Sequence, residues 1–137
     1  MAEQENIAVV KQGYNNFRSG DIAGLIEQMA EDVVWQLPDI EGVPLAGVRH
    51  GRDGVAEFFS TLARDQEAID FDPREFIAQN DKVVALGNYR WLIKETSREF
   101  QTDFVHIFTI RDGKIAGFRE HFDTAGLAAA YRKAMNA

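Results

Sequence analysis

Apolar positions in the first half of the chain recur mostly at helical spacing. Between residues 6 and 18, Ile7, Val10, Tyr14 and Phe17 fall on one helix face, and Ser19-Gly20 stops the run. Asp21 is placed to cap a second short helix with Ile22, Leu25, Ile26 and Met29 on one side. Residues 33–37 read as a short strand closed by Pro38, and 39–51 as a Gly- and Pro-containing loop. Residues 52–65 form a third amphipathic helix through Val55, Phe58, Phe59, Leu62 and Ala63. The period then changes. Residues 71–79, 82–93, 98–110 and 114–122 read as consecutive strands, and Asp123-Thr124 caps a last helix through Tyr131. Helices followed by a run of antiparallel strands predict an α+β fold, with the helices covering one face of a curved sheet.

The last two strands are specified most closely. Asp112-Gly113 is a turn signal that closes in either of two ways. A two-residue turn pairs Arg111 with Lys114 and sends Phe104 and Phe108 to one face, Phe118 and Phe122 to the other. A type I turn with Gly113 as a left-handed bulge pairs Ile110 with Lys114, Phe108 with Ala116, His106 with Phe118 and Phe104 with Glu120. The second closure gathers all four phenylalanines on one face. Because a one-residue slip flips every side chain, the hydrophobic pattern predicts this bulged register. His106 and Glu120 then lie among those rings, where an ionisable pair is costly without partners or work.

The alternation leaves a second sheet face carrying Val105, Ile107, Thr109, Ile115, Arg119 and His121. It is mixed rather than polar, which predicts a homodimer through the convex sheet face. At 137 residues the chain is read as one domain, 1–137. A net charge of −7 with no basic face argues against nucleic acid as a partner. Absence of cysteine excludes a disulfide framework, a thiolate nucleophile and a Cys-type zinc site. The start, MAEQENIAVV, has no basic segment, and no apolar run is long enough to span a bilayer, so a soluble cytoplasmic protein without a membrane partner is expected. A metal site would require His50, His106 and His121 to converge, and alternation separates His121 from His106; no metal is expected.

The order YNNFRSGD (14–21), AEDVVWQLP (30–38), GRDGVAEFF (51–59) and VHIFTIRDGKIAGFREHFD (105–123) resembles the SnoaL-like polyketide cyclases and ketosteroid isomerases of the nuclear transport factor two-like superfamily. The resemblance implies a cone-shaped, cystatin-like barrel, its curved antiparallel sheet wrapped around N-terminal helices and a hydrophobic pocket. It implies cofactor-free acid/base proton transfer, as isomerisation, cyclisation or hydrolysis, on a small apolar carbonyl compound. The general base of ketosteroid isomerases falls here on Leu37, their oxyanion acid on His106 and their helix-one tyrosine on Gly13, beside Tyr14. The relay of limonene epoxide hydrolases falls on Trp35, Leu37, Asn88 and Arg90, and keeps an acid only at Glu120. SnoaL-like cyclases have a histidine on the penultimate strand and an acid on the last, which His106 and Glu120 match.

Glu120 is therefore the first candidate for catalysis, since desolvation among rings penalises a carboxylate and suits a general acid or base. The plainer reading pairs it with an arginine or places it at a wet pocket mouth. His106 is placed to orient Glu120 or to donate to an oxyanion, or is a satisfied core residue. Trp35 and Tyr14 offer ring surface with one polar tip each, for a ligand or for the core. Phe59, Phe104 and Phe118 complete an aromatic lining. Strand 82–93 reads both ways: Val84, Leu86 and Leu92 share a face with Asn88 and Arg90, while Val83, Ala85, Tyr89, Trp91 and Ile93 share the other. The resemblance points Asn88 and Arg90 inward, toward a ligand; the plainer reading leaves Arg90 solvated at the rim. The alternative to an enzyme is a non-catalytic protein holding a small hydrophobic ligand, or a dimerisation module.

Overall fold

The computed structural model describes residues 2–132; Met1 and residues 133–137, the outermost parts of the expected domain, lie outside them. Helices α1 (Ala2–Arg18) and α2 (Ile22–Glu27) precede strands β1 (Met29–Leu37) and β2 (Gly47–His50), then helix α3 (Gly51–Asp65). Strands β3 (Gln66–Gln79), β4 (Lys82–Ile93), β5 (Arg98–Arg111) and β6 (Lys114–His121) follow, and α4 (Thr124–Tyr131) ends the described chain. The six strands form one sheet in the order β2-β1-β6-β5-β4-β3. The meander β3 to β6 is antiparallel, as expected, but β1 joins β6 in parallel, so the sheet is mixed. No helix among the described residues is long and apolar enough to cross a membrane.

The helix ends follow the polar signals. The Asp21 carboxylate accepts from the Gly24 N–H at 2.9 Å, and that of Asp123 accepts from the Gly126 N–H at 3.0 Å. Met29, expected on α2, instead opens β1, where it is fully buried. Two strand segments carry no sequence signal. Strand β2 lies inside the expected loop and is only four residues long, too short for alternation to register. The first five residues of β3 are mostly exposed on an edge strand and show no apolar pattern. The rest of the 39–51 segment is not idle. The Arg49 guanidinium donates to Leu45 O at 3.0 Å and Pro44 O at 2.9 Å, holding Val43 and Leu45 in the core.

Curvature of the long strands is built in at Gly87. A Cβ there would come within 2.7 Å of Pro73 Cα and 2.8 Å of the Phe104 ring, besides colliding with Asp72 O. Only glycine admits that approach, which lies at the bulge of β3 between Pro73 and Glu75. The sheet coils over α1 and α3, whose Val10, Tyr14, Val55, Phe58 and Phe59 fill its concave side.

The β5–β6 hairpin corrects the expected register. Asp112 and Gly113 both have positive φ, 52° and 76°, and Arg111 pairs with Lys114 across a two-residue turn of type I′. The bulge lies further on: Ile110 pairs with Ile115 but Thr109 with Gly117, leaving Ala116 as the extra residue. Beyond it Phe108 pairs with Phe118 and His106 with Glu120, not with Phe118. Phe104, Phe108 and Phe118 are buried and Phe122 half-buried against the same core. The demand that four rings share a face is met, with the bulge moved out of the turn. One consequence is that Ile115, expected on the outer face, is fully buried.

Candidate active site

Four polar side chains meet inside the sheet. His106 and Glu120, opposite each other on β5 and β6, are 4% and 9% exposed, and His106 Nε2 lies 2.7 Å from Glu120 Oε2. From α1, the Tyr14 hydroxyl reaches His106 Nδ1 at 2.7 Å; from β4, the Tyr89 hydroxyl donates to Glu120 Oε2 at 2.8 Å. With Nε2–H donating to the carboxylate, Nδ1 of the imidazole is the acceptor for the Tyr14 hydroxyl, a tautomer assigned from the network. Both donors therefore end on Oε2. Glu120 Oε1 has no hydrogen-bond partner among the described residues, while Glu120 itself lines the cavity. Both hydrogen bonds of the carboxylate thus fall on one oxygen.

Burial pushes the Tyr89 phenol well above its ordinary range, and the charge and hydrogen bond of Glu120 push it further. Tyr14 is raised by burial and then by Glu120, with Arg18 opposing weakly. Both hydroxyls keep their protons through neutral pH and remain donors. Rings hold the network in place. Phe104 stacks on His106 at 4.1 Å and on Tyr89 at 5.0 Å, and Phe118 meets the imidazole at 4.9 Å and 62°.

The cavity between helices and sheet has a volume of about 90 Å³, several times the roughly 10–15 Å³ that one water needs. Tyr14, Trp35, Phe59, His106, Phe118 and Glu120 all line it. Phe104 does not; it backs His106 and Tyr89 from behind. Asn88 and Arg90 are corrected. The buried side of β4 carries Val83, Ala85, Tyr89, Trp91 and Ile93, because two large rings gain more from burial than an amide and a guanidinium. Arg90 instead lies on the outer face beside Asp70 at 3.2 Å and Glu99 at 3.5 Å, 39% exposed. Tyr89 is the residue sequence reasoning missed. Its signal was present in the alternation of β4, which groups it with Trp91.

A family model for the SnoaL-like domain matches residues 10–118. The chain belongs to the SnoaL-like domain family. Among solved structures it is similar to a nuclear transport factor two-like protein from Burkholderia xenovorans, 34% identical over 96% of this chain and 99% of that one, with a TM-score of 0.87. TerC, crystallised with polyporic acid, is 31% identical over 93% and 98% of the two chains, with a TM-score of 0.80. A Mesorhizobium loti protein provisionally named a SnoaL-like polyketide cyclase shares the fold at 21% identity, covering 84% and 97%, with a TM-score of 0.70. No curated protein matches the chain.

Within this SnoaL-like frame the carboxylate inventory is short. Leu37, where resemblance places the base of ketosteroid isomerases, is a buried apolar lining residue. Among the described lining residues Glu120 is the one carboxylate. The carboxylate that faces this cavity thus comes from the last strand rather than the first.

Proposed function

We propose that the protein is a cofactor-free acid/base enzyme of the SnoaL-like type, moving a proton on a small apolar carbonyl compound. The supporting observation is the division of labour on Glu120: Oε2 is held by Tyr89 and His106, Oε1 makes no hydrogen bond among the described residues, and the residue lines an apolar cavity. Oε1 takes a proton from the carbon beside the carbonyl, the C–H pair moves into the enolate, and Glu120 returns the proton to the same or another carbon. His106, Tyr14 and Tyr89 are positioning residues: they fix the carboxylate rather than touch the reacting atoms. TerC was crystallised with polyporic acid, and flat carbonyl compounds with a C–H beside the carbonyl are the first ligands to try here. The working form is proposed to be a dimer through the outer sheet face, where Val105 and Ile107 are only half-buried; sedimentation as a monomer at micromolar concentration refutes that part.

The test is deuterium uptake at the α-carbon of 1-indanone in D2O, followed by proton NMR. The protein should accelerate exchange, and Glu120→Gln should remove on the order of 100-fold or more of the acceleration while indanone still binds. Binding without any accelerated exchange would reduce the protein to a ligand carrier.

A further inference from the structure

The polar groups around the cavity leave one donor over. Three buried side-chain nitrogens lack a partner among the described residues, and of these only Trp35 Nε1 belongs to a residue lining the cavity. The others, Arg49 Nε and Arg90 Nε, sit on guanidinium groups that carry ion pairs near Glu57, Asp70 and Glu99. Trp35 is 5% exposed and surrounded by rings that offer no acceptor. It stacks on Phe118 at 3.8 Å and 17°, and meets Phe58 and Phe59 at 5.7 and 5.5 Å. The neighbouring donors are already committed: Tyr14 to His106, and Tyr89 and His106 to Glu120. A buried indole N–H without an acceptor is costly and normally finds one. Gln66, also buried at the cavity wall, gives an N–H to the Tyr131 hydroxyl at 2.9 Å and so turns that donor elsewhere.

We propose that Trp35 Nε1 is the specificity-determining donor of this cavity, giving its proton to an acceptor oxygen of the ligand, a carbonyl or an enolate derived from it. The inference rests on the acid/base reading above and deepens it. The spare functions of the site are complementary: Glu120 Oε1 accepts, Trp35 Nε1 donates. A ligand that satisfies both must be flat enough to lie against the Trp35–Phe118 stack, apolar over most of its surface, and must carry an acceptor oxygen next to an acidic C–H. Hydrocarbons of the same shape leave the indole proton unspent and are selected against. As negative charge grows on the carbonyl oxygen during proton abstraction, the same N–H becomes a better partner for it.

The experiment compares 1-indanone with indane, which has the same bicyclic shape without the carbonyl. Affinities are measured by calorimetry for the wild-type chain and Trp35→Phe, and indole N–H resonances are followed by ¹⁵N–¹H NMR in the wild type. We expect wild-type protein to prefer indanone by about tenfold, in line with one buried hydrogen bond, and Trp35→Phe to lose that preference. The Trp35 indole resonance should shift downfield with indanone and not with indane, a readout that a purely packing role would not give. Equal binding of the two compounds by wild type, or a preference surviving in Trp35→Phe, overturns the proposal while leaving the pocket and Glu120 chemistry standing. An indole resonance unmoved by bound indanone does the same, even if the variant fails to fold. If neither compound binds, the ligand-pocket reading fails and this inference falls with it. If indanone is preferred through Trp35 but its α-protons do not exchange, the donor stands and catalysis by Glu120 falls.

Discussion

On the inner face of β4, Tyr89 donates to a buried carboxylate that pairs with no lysine or arginine among the described residues. On the outer face, one residue along, Arg90 meets Asp70 and Glu99 at 3.2 and 3.5 Å in partial contact with water. Both clusters concentrate ionisable groups on neighbouring strands, yet only the first lines the apolar cavity between helices and sheet. An arginine would neutralise Glu120 and hold both its oxygens in a fork. Tyr89 and His106 anchor the group through a single oxygen and leave the other without a hydrogen bond among the described residues. The outer cluster has ordinary surface ion pairs, where solvent screens most of what the short distances suggest. Comparable residue types thus acquire different roles from burial and from the kind of partner.

The comparison breaks most sharply in activity. Glu120→Gln should abolish indanone exchange, by on the order of 100-fold, while Arg90→Gln leaves the rate within a factor of about two; equal losses would mean the two faces are not functionally distinct. In stability, Tyr89→Phe should cost about 1–3 kcal/mol, because Glu120 Oε2 loses a buried donor. Arg90→Gln should cost under about 1 kcal/mol. Urea denaturation of the two variants decides it. Alkaline pH sharpens the contrast further. Tyr14 and Tyr89 have folded-state pKa values raised above the ordinary value near 10. Their contribution to stability is full below pH 10 and is lost as pH rises above it, because the unfolded chain releases those protons first. Melting temperature should therefore fall above about pH 10, and less steeply in Tyr14→Phe or Tyr89→Phe. The smallest effect is salt: raising ionic strength should weaken the outer ion pairs and leave the inner network's contribution unchanged, as read by the Arg90→Gln difference at low and high salt.

Much of this was legible along the chain because period and punctuation agree. Strand β4 runs from Lys82 to Ile93 as expected, bounded by Asn80-Asp81 and by the turn before Arg98, and the caps Asp21 and Asp123 act as their positions suggest. His106 and Glu120 were found by asking which polar residues share a face with phenylalanines. Their partner Tyr89 was not, since a tyrosine among apolar residues looks like core until the carboxylate it serves is placed opposite. Asn88 and Arg90 went astray through resemblance: position in an aligned strand carries no information about side once the local alternation disagrees. The hairpin register shows another limit. Parity of the aromatic pattern demands one extra residue, but says nothing about whether that residue lies in the turn or at Ala116.

Both tryptophans of the chain, Trp35 and Trp91, line the cavity, and there are no others. All indole fluorescence of the protein therefore originates at the pocket wall, with no surface emitter to dilute it. Whatever enters displaces solvent from, or quenches, the only fluorophores excited at long ultraviolet wavelength. The fold carries its own optical gauge of occupancy, and a compound library can be screened on unlabelled protein before any turnover is known.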